Sequence, residues 1–292
     1  MINRNHHIYK IIIGIFIAGT TLSGISCVEQ KENTTLPGYN LNAPVKYNMA
    51  QSLFEISGIA FNNGNAKQVF AIQDEDGDLF QFGLKDKNVK STKFAGKGDY
   101  EDLAICNGQV IILRSDGQLY TFPLNETSKA EVENVLKQKD LLPKGEYEGL
   151  YADEKTSQIF ILSKNSKTDQ ENKQTGVFIF NLSPQGTLAA QSSVNISHRE
   201  IEQMAGEKIT KFHPSALAKN TATNEWFILS SVNKLLVVAD ANWKIKAAYH
   251  LNSNIFNQPE GIAFDREHNL YISNEGGDLA AGNILFFKYK HP

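Results

Sequence analysis

The chain has 292 residues, of which 41% are hydrophobic and 21% are charged. This composition is that of a folded globular protein, and it excludes a disordered tail, a coiled coil and a polytopic membrane protein. The formal net charge of -3 leaves no excess of Lys and Arg to neutralise phosphates, so we expect no nucleic-acid partner.

Residues 1–27 predict a secretory signal rather than part of the fold. Arg4 and Lys10 supply positive charge, an apolar run follows over Ile11–Ala18, and small and polar residues lead to Cys27. The apolar run is about half of the ~20 residues that a bilayer-spanning helix needs. An uncleaved signal anchor is the alternative interpretation.

Cys27 closes this segment in a pattern that resembles a bacterial lipobox, with the small residues Gly24 and Ser26 before it. The resemblance implies cleavage before Cys27 and lipidation of its thiol. Residues 28–38 read as a polar tether whose early charges resemble the export signals of outer-membrane lipoproteins. We therefore expect a lipid anchor in the outer membrane. Cys106 would then lack a disulfide partner, and its apolar surroundings predict a small buried hydrophobe.

One opening pattern recurs five times, as ISGIAFN, YEDLAIC, YEGLYAD, PSALAKN and PEGIAFD, with spacings of 44, 47, 67 and 45 residues. Three to four short β-rich runs per repeat are typical of a β-propeller blade. The last repeat has only three such runs, and Leu41–Met49 would supply its fourth and close the ring. The sequence predicts an all-β fold in which residues 39–292 form a single five-bladed β-propeller, closed by an N-terminal strand and carrying a short helical insertion.

The interval of 67 residues leaves room for a sixth blade within residues 165–210, although no sixth opening pattern occurs there. We interpret the extra length as a polar loop, Asn165–Thr175, and a helical stretch, Ser197–Thr210. Apolar residues in that stretch fall near a spacing of 3.6 residues, which predicts a helix that packs against the propeller.

The openings SGIAF, YEGL and QPEGIAFD, with NLYISNE soon after the last, resemble the SdiA-regulated (YjiK-like) family of bacterial β-propellers over about residues 40–290. The resemblance implies a five-bladed propeller of the cell envelope with a calcium ion near its central channel. The family is distantly related to NHL-type propellers, some of which are hydrolases of the lactonase kind. The resemblance thus implies a fold and a metal, but no single activity.

The residues that enter the five innermost strands would meet at one mouth of the channel. They are Ser57, Glu101, Glu148, Ser215 and Glu260. Three carboxylates around one axis repel each other unless a cation lies between them, and calcium prefers such oxygen ligands. Two alternatives stay open: Arg114 and Lys164 could neutralise the glutamates, or the rim could simply be solvated.

The last blade offers further oxygen ligands in Asn274 and Glu275, within an SNE sequence that resembles the family's last-blade motif. We include Glu275 with Glu101, Glu148 and Glu260 as the expected calcium ligands. In the first blade Asp74 takes the corresponding place, but its sequence departs from the motif and it is left out of the set. The acidic run that begins at Asp74 lacks the frame of an EF-hand, and we interpret it as a hairpin turn.

Two functions remain open from the sequence. The first is a non-catalytic, lipid-anchored envelope propeller, expected to be a monomer, that binds calcium at its channel mouth together with an unidentified small molecule or envelope protein. The second is a calcium-dependent hydrolase of lactones, esters or phosphoesters, in which His213 or a carboxylate would serve as the base. No catalytic residue can be assigned from the sequence, since no nucleophile elbow or HExxH motif occurs.

Overall fold

The computed structural model describes residues 35–86, 88–277 and 280–291. The expected signal, Cys27 and most of the expected tether lie outside these residues. Within them the chain forms five four-stranded antiparallel sheets, and each sheet is one blade. The prediction of a five-bladed, all-β propeller is therefore confirmed.

The first strand in the chain, β1 (Val45–Asn48), belongs to the last blade, and the next two blades follow it in sequence. The strands of blade 1 are β2 (Ile56–Ala60), β3 (Val69–Gln73), β4 (Asp78–Phe82) and β5 (Lys90–Lys93). The strands of blade 2 are β6 (Tyr100–Cys106), β7 (Gln109–Arg114), β8 (Leu119–Pro123) and β9 (Leu136–Gln138).

Blades 3 to 5 complete the ring. Blade 3 comprises β10 (Gly145–Asp153), β11 (Gln158–Ser166), β12 (Gln174–Leu182) and β13 (Leu188–Ser197). Blade 4 comprises β14 (Ala216–Asn220), β15 (Glu225–Ser230), β16 (Leu235–Ala239) and β17 (Ile245–His250). Blade 5 comprises β18 (Pro259–Phe264), β19 (Leu270–Asn274), β20 (Asn283–Phe287) and β1.

The N-terminal strand closes the ring as predicted. β1 pairs antiparallel with β20, with Val45 opposite Phe286 and Asn48 opposite Asn283. The segment before β1 also joins the core, since Leu36 and Tyr39 are both 5% exposed and pack between blades 4 and 5. The packed domain thus includes Leu36, which lies inside the range expected for the tether.

The extra length of the third repeat enlarges blade 3, whose strands have nine or ten residues each. No sixth sheet occurs in the described parts of the chain. The expected polar loop is instead the tip of the β11–β12 hairpin. That tip carries a short helix, α1 (Lys167–Asn172), in which the Ser166 hydroxyl caps the N-terminus by accepting from the Asp169 N–H. The sequence predicts the apolar runs of β11 and β12 as strands, whereas it predicts a loop for α1 and the polar ends of both strands.

The predicted amphipathic helix is α2 (His198–Ala205), and it ends at Gly206 in the left-handed conformation. Ile201 and Ile209 are buried against blades 3 and 4, whereas Met204 is largely exposed. Ala205, partly buried, packs against the same cluster, so the predicted packing is confirmed for every apolar residue of the stripe except Met204. Neither helix in the described part of the chain has the length and apolar composition to cross a bilayer.

Five apolar clusters fill the molecule, one at each interface between neighbouring blades. Alternate residues of a strand point to opposite faces of a sheet, so each blade feeds two clusters. In β15, for example, Trp226 packs toward blade 3 and Phe227 toward blade 5. Cys106 is buried in the cluster between blades 2 and 3, in line with its expected role as a small hydrophobe.

Candidate functional site: a carboxylate-lined channel mouth

The innermost strands β2, β6, β10, β14 and β18 contact one another in a closed ring around the axis. All five begin at the same end of the ring, which we call the mouth. The second strands of the blades end at this mouth, because they run antiparallel to the first strands. The sequence register therefore places residues from all five blades at one opening.

The two serines of the predicted set lie at blade junctions. The Ser215 hydroxyl donates to the carbonyl of Pro259 in blade 5 at 2.8 Å. The Ser57 carbonyl accepts from the Ser273 hydroxyl of blade 5 at 2.6 Å. Both contacts tie neighbouring blades together, so the acidic character of the mouth comes from the other members of the set.

Glu148 is 5% exposed and forms an ion pair with Lys164, which stands near the end of β11 in the same blade. Burial raises the pKa of Glu148, and Lys164 opposes that rise. Lys164 also lies close enough to Glu101 and Glu260 for both to raise its own pKa. One lysine thus faces three glutamates from three blades.

The other predicted acids share this low-dielectric environment. Burial and the nearby Glu148 raise the pKa of Glu101 well above its usual range. Burial, with Glu148 and Glu275, raises the pKa of Glu260 to about 8. Burial, with Asp74 and Glu55, raises the pKa of Glu275 to about 7. Glu148 contributes to the raised pKa of each of the other three glutamates, so Glu101, Glu148, Glu260 and Glu275 lie within electrostatic range of one another.

Asp74 belongs to the same group, although the sequence analysis left it out. It follows β3 at the mouth, where burial and the neighbouring Glu55 raise its pKa to about 6. Its Oδ1 atom is buried and has no hydrogen-bond partner. The buried Oδ1 of Asn274 likewise has none. A buried oxygen without a donor destabilises the fold by roughly 1–3 kcal/mol. A cation or a hydrogen-bond donor beside either atom would remove that cost.

Arg114, one of the two cations considered for neutralising the glutamates, is engaged elsewhere. Its guanidinium binds both carboxylate oxygens of Asp116, at 2.9 and 2.5 Å. An open pocket of about 210 Å³ lies between blades 2 and 3 at the mouth, lined by Asp99, Glu101, Glu146, Glu148 and Lys164 among others. Within the described residues, no group of three or more His, Cys, Asp or Glu side chains is arranged so that it could hold a metal ion.

Asp102, next to Glu101, fixes the position of blade 2 against blade 3. It is 3% exposed, and its two oxygens accept from the Leu103 N–H at 2.8 Å and the Leu150 N–H at 2.7 Å. Gly58 of blade 1 leaves room for it, because a Cβ there would lie 2.4 Å from Asp102 Oδ1. Asp102 thus sets the spacing between the strands that carry Glu101 and Glu148.

His213 stands before β14, at the edge of the same mouth. Its backbone N–H donates to Asn233 Oδ1 at 3.1 Å and its carbonyl accepts from the Ser230 hydroxyl at 2.6 Å, so the loop is well fixed. Burial lowers the pKa of its imidazole, and Lys164 lowers it further. The lowered pKa favours the neutral imidazole, which is the form that can accept a proton.

Comparison with known proteins agrees with this architecture. A family model described as SdiA-regulated matches residues 31–279. The chain belongs to the SdiA-regulated family. No curated protein matches it in sequence.

Solved structures of enzymes share the fold. A glutaminyl cyclase from Myxococcus xanthus superposes with a TM-score of 0.53 at 15% identity, over 84% of this chain and 95% of that one. A luciferin-regenerating enzyme superposes with a TM-score of 0.52 at 8% identity, over 86% of this chain and 98% of that one. At these identities the likeness concerns the propeller fold and not its chemistry.

Proposed function

We propose that this SdiA-regulated protein is a lipid-anchored, monomeric propeller of the cell envelope whose mouth binds calcium and, beside it, a small molecule or an envelope protein. The observation that carries the proposal is the cluster of buried carboxyl groups at the mouth, which outnumber the cations beside them. Four blades contribute carboxylates there, and Lys164 pairs with only one of them, Glu148.

The residues at the mouth fit calcium in their chemistry. All candidate ligand atoms are oxygens, which calcium prefers to nitrogen or sulfur. The buried and unpartnered Oδ1 atoms of Asp74 and Asn274 add two more oxygens to the glutamates. No three of these described carboxylates are already arranged as ligands, so Glu101, Glu148, Glu260 and Glu275 would have to turn toward the ion to hold it with Asp74. The ion would supply the positive charge that the site lacks. Lys164 would have to release Glu148.

Thermal unfolding tests the calcium proposal directly. Calcium that binds only the folded protein raises its Tm by mass action. We expect chelator to lower the Tm and calcium to restore it, whereas magnesium, which dehydrates reluctantly, should restore it less. Glu148→Gln should reduce the calcium-dependent rise while the propeller stays folded.

The matched control is Glu267→Gln, an exposed glutamate in the β18–β19 turn at the end of the propeller away from the mouth. It should keep the full calcium-dependent rise in Tm. A protein that carries no divalent metal after purification, and whose Tm is the same in calcium and chelator, would leave Lys164 as the counter-ion and overturn the calcium proposal.

The lipid anchor rests on Cys27 and has its own test. Cys27→Ser should stall processing of the precursor or release the protein from membranes. Fractionation and the mass of the purified chain measure this. A Cys27→Ser protein that stays in the membrane fraction at the mature mass would rule out lipidation. Cys106→Ser is the matched control, since Cys106 is buried within the fold.

His213 supports a second candidate, a hydrolase whose water is activated at the mouth. A neutral imidazole beside Lys164 could accept a proton from water, and a bound calcium would polarise the carbonyl or phosphoryl oxygen of a substrate. Simple lactones, esters and phosphoesters, with and without calcium, test it. Activity that His213→Ala abolishes without changing the calcium-dependent Tm would favour the enzyme, and its absence with all three classes would favour the binding protein.

A further inference from the structure

A patch of exposed basic residues lies at the end of blade 5 opposite the mouth. It consists of Lys46, Arg266, Lys288 and Lys290, and we call it the basic rim. None of the four takes part in an ion pair with another described residue. Glu267 is the exposed acid in the same loop as Arg266.

The strand directions of blade 5 bring these residues to one end. β18 and β20 run away from the mouth, so the turn that holds Arg266 and the residues after Phe287 lie at the far end. β1 begins at that end, where its first residue, Val45, is 51% exposed. A backbone hydrogen bond joins the segment before β1 to the segment after β20, in which the Lys290 N–H donates to the Gly38 carbonyl at 2.9 Å.

The chain upstream of the propeller enters beside the basic rim. Tyr39 is buried there, and its hydroxyl donates to the carbonyl of His268 at 2.6 Å. Cys27 lies eight residues before Thr35, the first described residue. Eight extended residues span at most about 28 Å, so a lipid on Cys27 would keep this end of the propeller near the bilayer.

We infer that the basic rim rests on an anionic membrane surface, so that the carboxylate-lined mouth faces away from the bilayer. The inference depends on the lipid anchor proposed above. Each Lys or Arg near an anionic surface strengthens binding about five-fold, and an acyl anchor supplies the second attachment. The opposed charges of the two ends favour this orientation over its reverse, because anionic lipid repels the acidic mouth.

Lipid-quenching of a site-specific fluorophore tests the orientation. The full chain, purified in detergent, is placed in phosphatidylcholine vesicles with or without one third phosphatidylglycerol and with a quencher on the lipid. One dye is attached at Asn42→Cys, beside the basic rim, and another at Val232→Cys, which is 71% exposed at the mouth. We expect strong quenching at position 42, most of all in anionic vesicles, and none at position 232.

A charge-reversal variant tests the role of the basic rim itself. Lys46→Glu, Lys288→Glu and Lys290→Glu together should reduce quenching at position 42. The matched control reverses three exposed lysines at the mouth end, Lys97, Lys144 and Lys208, and should leave quenching unchanged. Unaltered Tm values in both variants show that the fold is intact. Equal quenching at positions 42 and 232, or a control variant that behaves like the rim variant, would overturn the inference.

The mass of the purified chain separates this inference from the proposed anchor. If Cys27 carries no acyl group, the anchor proposal fails and the unlipidated chain is sedimented with the same vesicles. Its binding to anionic vesicles should then fall roughly 100-fold in the rim variant, from five-fold per lysine, and should be lost at high salt. Binding that is unaffected by the rim variant would overturn the inference in that case too.

Discussion

Lys164 pairs with Glu148 and opposes the rise in the pKa of Glu101 and of Glu260. Lys164→Met leaves Glu148 buried without its partner. Because Lys164 is one-third exposed, we expect a loss of about 1–3 kcal/mol in the free energy of unfolding, less than for a fully buried pair. Calcium should then raise the Tm of Lys164→Met more than that of the wild type. An equal or smaller rise would mean that the ion does not occupy the place of the lysine.

Asp102 accepts two backbone N–H groups from two blades. Asp102→Asn keeps the shape but turns an amide N–H₂ toward one of those donors. We expect a loss of about 1–3 kcal/mol in the free energy of unfolding, measured in urea, and a weaker calcium-dependent rise in Tm because the glutamates on either side lose their spacing. Asp140→Asn, on an exposed loop residue, should change neither quantity.

Strand β1 is the element that closes the ring. A chain that begins at Ser52 lacks β1 and the buried side chains of Leu36 and Tyr39. Each such side chain contributes roughly 1.5–3 kcal/mol by burial, and β20 becomes an open edge. We expect a much lower Tm than for a chain that begins at Thr35. A peptide of residues 35–50 added in trans should recover part of it. An unchanged Tm after the truncation would show that closure contributes little.

The register of the five openings was enough to predict the blades, the strand that closes blade 5 and the meeting of Glu101, Glu148 and Glu260 at one end. The apolar runs of β11 and β12 predicted their hairpin, but α1 and the polar ends of the two strands could not be predicted, because those residues are typical of a loop. Asp74 was missed for a different reason. Its membership of the site depends on burial by neighbouring blades, which the local sequence around it does not encode.

Across the whole molecule, the carboxyls of the mouth make stability depend on pH. The pKa values of Asp74, Glu275 and Glu260 are raised to about 6, 7 and 8. A raised pKa means that the folded state favours the protonated carboxyl, and this preference stabilises the fold. The stabilisation is fully present below the unfolded pKa of ~4.3 and is lost as pH rises through 6 to 8. In chelator the Tm should therefore fall between pH 5 and pH 8.5. Saturating calcium should flatten or reverse that slope, and a Tm independent of pH in chelator would contradict the raised values.

The pairing of Val45 with Phe286 joins the N-terminal strand β1 to the C-terminal strand β20. During synthesis β1 appears first, whereas its partner β20 appears only after the strands of the other four blades have been made. The ring stays open until blade 5 is complete. The β1–β20 pairing then closes a loop that spans the whole propeller, and the formation of such a long-range contact is slow. Loss of the residues from Asn283 onward would leave β1 without a partner, so we expect a chain truncated there to be degraded by proteases rather than accumulate as a four-bladed protein.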